Sequence, residues 1–115
     1  MPTTHAVSVA RSGMNAAAEK LAVAAHNTAN INTDGFKAQH VVVDEVSSGG
    51  VTTNTIPLQK EAPVLLRDGQ MVEGSNADIV TDTLSRIEAI HAYKANAVAL
   101  RTYMEAETSM INILA

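Results

Sequence analysis

Four histidines and a scatter of carboxylates are the side chains of this sequence that could bind a metal ion or transfer a proton. The histidines are His5, His26, His40 and His91. No two of them are four residues apart, and none has an acidic residue at ligand spacing on the same predicted helix face, as a zinc site requires. We interpret them as solvated or singly hydrogen-bonded side chains, and we expect no metal ion and no other cofactor.

The acidic residues do not form a catalytic pair either. Glu105 and Glu107 are two residues apart, so they cannot share a helix face. Glu73 with Asp78 is typical of a helix start, and the stretch "SSGG" lacks the lysine of a phosphate-binding loop. The chain has no cysteine, which excludes thiol chemistry. We therefore predict no enzyme and no small-molecule substrate; an enzyme would instead need two converging titratable groups in a pocket.

Charge and composition exclude further classes. A net charge of −4, with scattered lysines and arginines, disfavours nucleic acid and anionic membrane surfaces as partners. No apolar run approaches the roughly 20 residues of a membrane span, so no direct membrane insertion is expected. The first residues lack a basic segment followed by an apolar core, so no cleaved signal peptide is expected. With 1 Phe, 2 Tyr and no Trp, the core must rely on small side chains or on neighbouring molecules.

A seven-residue apolar repeat runs from residue 4 to residue 31. Its positions are Val7, Met14, Leu21 and Thr28, followed three residues later by Ala10, Ala17, Ala24 and Ile31. This spacing predicts a coiled-coil-like helix, and its alanines require a closely approaching partner helix. An ordinary amphipathic helix in a monomeric core is the alternative.

A second repeat lies between residues 75 and 115. Its positions are Ile90, Ala97, Met104 and Ile111, with Tyr93, Leu100 and Leu114 three residues on, and Glu107 interrupts it. Ser75 or Asn76 is predicted to cap this helix, because both types accept hydrogen bonds from free N–H groups at a helix start. The simplest arrangement is an antiparallel hairpin of the two terminal helices, joined by further helices from neighbouring molecules.

The middle of the chain changes character. "AQHVVVDEV" predicts a strand, "SSGGVTTNT" predicts a flexible loop, and Asp68-Gly69 between apolar flanks predicts a hairpin turn. We therefore expect a mainly α fold in which two long helices pair and enclose a short β-hairpin or extended segment. The predicted divisions are 1–36 for the first helix and its turn, 37–74 for the middle, and 75–115 for the second helix.

The stretch "HNTANINTDGFKAQ" is a run of amides at the end of the first helix. Asn27 and Asn30 share a helix face, so they can donate to the unpaired carbonyls of the helix end or bridge to another helix. Asn32 and Gly35 predict a tight exit turn, after which Phe36 folds back as an apolar anchor. We predict a device for capping and docking; a plain helix end with exposed polar residues is the alternative.

The same stretch resembles the N-terminal signature of the bacterial flagellar axial proteins, the rod and hook family, roughly N-x-A-N-x-N-T-x-G-[FY]-[KR]. The matching positions are Asn27, Ala29, Asn30, Asn32, Thr33, Gly35, Phe36 and Lys37, preceded by a small-residue lead-in at Ser12, Gly13 and Met14. The stretch 73–102 resembles the family's C-terminal signature through Glu73, Ser75, Asn76, Asp78, Ile87, Ala89, Ala92, Tyr93, Ala95, Asn96 and Thr102. The chain departs from these patterns at Thr28, Asp34, Thr81-Asp82 and Ile90-His91.

The resemblance and the small middle segment imply a structural subunit of the flagellar basal-body rod, of the short proximal type. Its implied partners are other axial proteins, further copies of itself and the flagellar type III export apparatus. Its implied location is the periplasmic rod, reached without a cleaved signal. A non-rod paralogue acting as a helical adaptor is the alternative. The predicted assembly residues are Val7, Met14, Leu21, Asn27, Asn30, Asn32, Gly35, Phe36, Asn76, Asp78, Ile90, Tyr93, Asn96, Ala97, Leu100, Met104 and Ile111.

Overall fold

Two long helices and two small hairpins make up the protein. The computed structural model describes residues 2–115, and its elements are α1 (Pro2–Ala29), β1 (Gln39–Glu45), β2 (Val51–Pro57), β3 (Val64–Arg67), β4 (Gln70–Glu73) and α2 (Ile79–Leu114). The molecule is elongated, with extents of 77 × 24 × 14 Å. The predicted fold class is confirmed: the chain is mainly helical, and its two terminal helices pack together with a short β region between them.

The helices approach closely because small side chains lie between them. The buried apolar side chains of the described residues are Ala10, Ala16, Ala17, Val23, Ala24, Ala38 and Ala89. Gly13 lies against the side chain of Asn96, and a Cβ atom at this glycine would lie 2.6 Å from Asn96 Oδ1. A side chain at position 13 would therefore displace the side chain of Asn96 from this contact. The core is therefore thin and consists mostly of methyl groups.

The buried face of each helix differs in part from the predicted repeat. On α1 the alanine positions Ala10, Ala17 and Ala24 are buried as expected, but Leu21 is 37% exposed. On α2 the seam passes through Asp82, Ala89 and Asn96, one residue before the predicted positions. The shift brings small and polar side chains to the contact and leaves bulkier ones at its margin. One residue turns a helix by about 100°, so the shift changes which side chains face α1.

The first hairpin corrects one prediction from the sequence. β1 and β2 pair antiparallel from Gln39 opposite Pro57 to Glu45 opposite Val51. Five of the nine residues expected to form a flexible loop therefore lie in the strand β2, whose valine and threonines suit a pleated surface. The turn lies at Gly49 and Gly50, with φ of +100° and +87°.

The tip of this hairpin is held on α1. The N–H of Val51 donates to Ser12 Oγ at 3.1 Å, and that hydroxyl donates in turn to the carbonyl of Val9 at 2.7 Å. A Cβ atom at Gly50 would lie 2.7 Å from Ser12 Oγ, so the close approach requires glycine. The hairpin therefore lies along α1 rather than projecting from it.

The second hairpin, β3–β4, is the one predicted from Asp68-Gly69. Asp68 has φ of +49° and Gly69 has φ of +79°, as a two-residue type I′ turn requires. Val64 pairs with Glu73 and Arg67 with Gln70. The middle segment thus contains two hairpins, where the sequence predicted one.

The start of α2 corrects the predicted cap. Asp78, not Ser75 or Asn76, is the N-cap: its Oδ1 accepts from the N–H of Val80 at 3.0 Å, and its Oδ2 accepts from the Thr81 hydroxyl at 3.1 Å. The bond from Val80 is the main reason that the pKa of Asp78 is lowered from its ordinary value, followed by the bond from Thr81. Ser75 and Asn76 are buried.

Enlarging the central contact between the helices is expected to destabilise the protein. Ala89 is 1% exposed, and Ala89→Leu should lower the free energy of unfolding by roughly 1–3 kcal/mol because the added atoms meet a filled space. Urea denaturation followed by circular dichroism measures this. Ala95→Leu, at an exposed position of the same helix, is the matched control and should change stability by about 0.5 kcal/mol or less. Equal midpoints for the two variants would contradict the assignment of the seam.

Candidate assembly interface and its amide junction

The side chain of Asn27 binds both backbone groups of Gln39, the first residue of β1. Its Nδ2 donates to the carbonyl of Gln39 at 2.7 Å, and its Oδ1 accepts from the N–H of Gln39 at 2.9 Å. Pro57, the residue paired with Gln39 in β2, has no N–H to donate. The Asn27 amide thus binds β1 as a neighbouring strand would, and joins α1 to the sheet.

Asn76 binds the N–H of the adjacent residue and two carbonyls from the segment after β2. Its Oδ1 accepts from the N–H of Ala38, and its Nδ2 donates to the carbonyls of Leu58 at 3.2 Å and Lys60 at 2.8 Å. Its own N–H donates to the carbonyl of Phe36 at 3.2 Å. Asn76 therefore connects three segments that are distant in sequence.

A buried carboxylate completes this cluster. Asp82 of α2 is 5% exposed, and its Oδ1 accepts from Asn27 Nδ2 at 3.3 Å. Its Oδ2 is buried and has no hydrogen-bond partner among the described residues. Burial raises the pKa of Asp82, and the hydrogen bond from Asn27 opposes this effect. We name the set Asn27, Ala38, Gln39, Asn76 and Asp82 the amide junction.

The other predicted amides act more locally. Asn30 Nδ2 donates to the carbonyl of His26 at 2.9 Å, which is the predicted capping role, and Asn30 Oδ1 accepts from the Thr33 hydroxyl at 3.1 Å. Asn32 is exposed. The helix end thus divides the two expected roles: Asn30 caps, whereas Asn27 bridges to α2 and β1.

The exit turn also has the expected form. Gly35 has φ of +70°, and its N–H donates to the carbonyl of Glu73 at 2.8 Å. Phe36 folds back so that its ring meets that of His26 edge to face, with centroids 5.4 Å apart. An ion pair between Lys37 and Glu73 lies beside this turn.

Most predicted assembly residues of α2 lie on the surface of the monomer. The exposed fractions are 41% for Ile90, 43% for Tyr93, 54% for Met104 and 60% for Ile111, whereas Asn96, Ala97 and Leu100 are half-buried. On α1, Val7 and Met14 are half-buried. The exposed apolar residues are free to contact another molecule, and their part in assembly stays a prediction.

The last turns of α2 extend past α1. Asn27 meets Asp82 and Gly13 meets Asn96, so α2 residues beyond about position 107 lie past the first described residue of α1. This end exposes large apolar side chains, 82% of Ile113 and 84% of Leu114. A partner that covered this helix end would remove its apolar surface from water.

A second exposed apolar group, on the β3–β4 hairpin, was not predicted from the sequence. Leu66 of β3 and Met71 of β4 are directly paired across the hairpin, and they are 72% and 77% exposed. Their positions on either side of Asp68-Gly69 were visible in the sequence, but nothing there indicated that both would point to solvent.

Metal-binding clusters and membrane-spanning helices are not found in the part of the chain that the structure describes. Between residues 2 and 115 no group of three His, Asp or Glu side chains is placed to hold a metal ion. No helix in this range is long and apolar enough to cross a membrane.

A groove of about 370 Å³ lies between α1, β1 and the first turns of α2, and Asp82 is part of its wall.

The helix and turn that contain Asn27 match a known family. Residues 8–37 match the family model described as flagella basal body rod protein. This match confirms the resemblance predicted from the N-terminal motif, and it includes Asn27, Asn30 and Phe36. It ends at Lys37, so the likeness of residues 73–102 to the C-terminal signature stays a prediction. A comparison with curated proteins found no matching relative.

Removing one junction amide is expected to destabilise the fold. Asn76→Ala leaves the N–H of Ala38 and the carbonyls of Leu58 and Lys60 without this partner, which should cost about 1–3 kcal/mol or more. Urea denaturation gives the free energy of unfolding. Asn32→Ala removes the same functional group at an exposed position and should have little effect. A large loss for Asn32→Ala, or none for Asn76→Ala, would contradict this role of the junction.

Proposed function

We propose that this chain, whose residues 8–37 match the model of the flagella basal body rod protein family, is a structural subunit of the rod of the proximal type. The family supports a structural role in the flagellar basal body, together with other axial proteins. The further elements of the proposal are helical assembly through the terminal helices, export through the flagellar type III apparatus without a cleaved signal, and a final position in the periplasm.

The observation that carries the proposal is the contrast between a thin core and a large exposed apolar surface. The buried apolar side chains of the described residues are alanines and one valine, whereas leucines, isoleucines and methionines of α2 lie in solvent. Contiguous exposed apolar surface marks an interaction site in a soluble protein. An assembled tube, in which each helix is surrounded by others, would cover this surface.

The shape supports the same proposal. The protein is 77 Å long and 14 Å thick, and the end of α2 extends past α1. Contacts between different faces of identical subunits generate helical assemblies when they do not close into a ring. A small core also suits export in an unfolded state, because few buried contacts must be broken.

Deletion of the gene from the strain that encodes it tests the proposal directly. The expected result is loss of swimming, with basal bodies that retain the inner-membrane ring and lack the rod when imaged by electron microscopy. Complementation with the wild-type gene should restore both. Normal swimming and intact rods would contradict the proposal and favour the adaptor alternative.

A surface variant tests the proposed assembly face. Ile111→Asp places a charge on the exposed end of α2 and should prevent complementation, because a charge buried between subunits is costly. Ser109→Asp, which adds the same charge two residues away at an exposed position, is the matched control and should complement better. Circular dichroism of both purified proteins verifies that the monomers fold alike. Full swimming with Ile111→Asp would place the assembly face elsewhere.

A further inference from the structure

We propose that Asp82 is a protonation-controlled latch at the amide junction: while its carboxyl group is neutral, α1, β1 and α2 are fastened together, and its ionisation loosens the start of β1. The proposal concerns the folded chain itself, and it does not depend on what the chain assembles with.

The hydrogen bonds of Asn27 connect Asp82 to the start of β1. Asn27 Nδ2 donates to two acceptors, the Gln39 carbonyl at 2.7 Å and Asp82 Oδ1 at 3.3 Å. An ionised carboxylate is a stronger acceptor than a neutral carboxyl group. Because Nδ2 has two hydrogens and donates one to each acceptor, ionisation weakens the attachment of β1 to α1 through movement: the carboxylate moves toward water and draws the tightly bound Asn27 amide with it, away from Gln39.

The burial of the second carboxyl oxygen of Asp82 makes ionisation unfavourable. Asp82 Oδ2 is buried without a partner among the described residues, so a negative charge shared by the two oxygens would be poorly solvated. Burying an unpaired charge is expensive. Water that entered through the groove between α1, β1 and α2 would solvate the carboxylate. Its entry would open the junction locally.

The charged groups around Asp82 do not neutralise it. On α2 itself, Asp78 opposes its ionisation and Arg86 favours it. The groove also contains Lys20 from α1, His40 from β1, Lys60 from the segment after β2, and Glu88 from α2. Among the described residues, neither the two lysines nor His40 forms an ion pair with Asp82.

The direction of the pH effect follows from linkage. Burial raises the pKa of Asp82 above its ordinary value of 3.8, so the folded state binds more protons than the open state between that value and the raised one. Stability of the junction is therefore complete below about 3.8, falls as the pH rises through this window, and levels off above it.

Hydrogen exchange of the Gln39 amide reports the latch, because this N–H donates to Asn27 Oδ1. We expect its protection factor, corrected for intrinsic exchange, to fall as the pH is raised from about 4 to about 8. The fall is about tenfold for each unit by which the pKa of Asp82 in the closed state exceeds that in the open state. Amides in the middle of β1 serve as internal references.

Two variants separate the latch from a general effect of pH. Asp82→Asn keeps an oxygen acceptor for Asn27 but cannot ionise, so the protection of Gln39 should become independent of pH. Glu88→Gln removes an exposed carboxylate of the same groove and should preserve the wild-type dependence. A constant protection factor in the wild type, or an equal fall in Asp82→Asn, would overturn the proposal.

A measurement on the unaltered chain covers the case in which Asp82→Asn does not fold. The side-chain carboxyl carbon of Asp82 is followed by NMR across the same pH range. The proposal requires that its titration midpoint coincide with the midpoint of the change in Gln39 protection. Distinct midpoints, or an Asp82 that titrates at or below its ordinary value of 3.8, would overturn it.

Discussion

The fold depends on how the chain between Phe36 and Gln39 is held by two asparagine side chains. Asn27 comes from α1 and Asn76 from the segment before α2, and each binds backbone groups of this short connection. Backbone N–H and C=O groups removed from water need partners, and the amides supply both donor and acceptor at once. The connection is thereby fixed to both halves of the molecule, and the position of β1 relative to the helices is determined.

The apolar contacts could not fix this arrangement by themselves. Their buried side chains are almost all alanine, and methyl groups pack acceptably in more than one helix register. Directional hydrogen bonds discriminate between registers, because a one-residue slip would leave the amides and their backbone partners unpaired. The polar junction and the close Gly13–Asn96 contact therefore select the antiparallel pairing that the methyl groups allow.

Because alanines and hydrogen-bonded amides form the contact between the helices, the large apolar side chains lie on the surface. Residues such as Met104, Ile111 and Leu114 contribute little to the monomer, being 54% to 84% exposed. The monomer gains limited hydrophobic stabilisation, while its surface retains much of the apolar area that association could bury. Association that buried this area would add stability, which accords with the proposed role in a multi-subunit rod.

The sequence alone determined the helical class, the two terminal helices, the Asp68-Gly69 hairpin and the amide-rich turn, because each depends on local spacing or backbone preference. It also singled out Asn27 and Asn76, but as assembly residues and without the intramolecular partners that the structure gives them. The tertiary structure decided that Asn27 binds Gln39 and Asp82, that Val51–Pro57 forms a strand, that Asp78 caps α2, and that the seam on α2 passes through Ala89 rather than Ile90. These features depend on contacts between residues far apart in the chain, such as the 55 positions between Asn27 and Asp82. No local pattern records such a contact, because both helix faces adjoining the true seam carry small or apolar residues and only the packed partner distinguishes them.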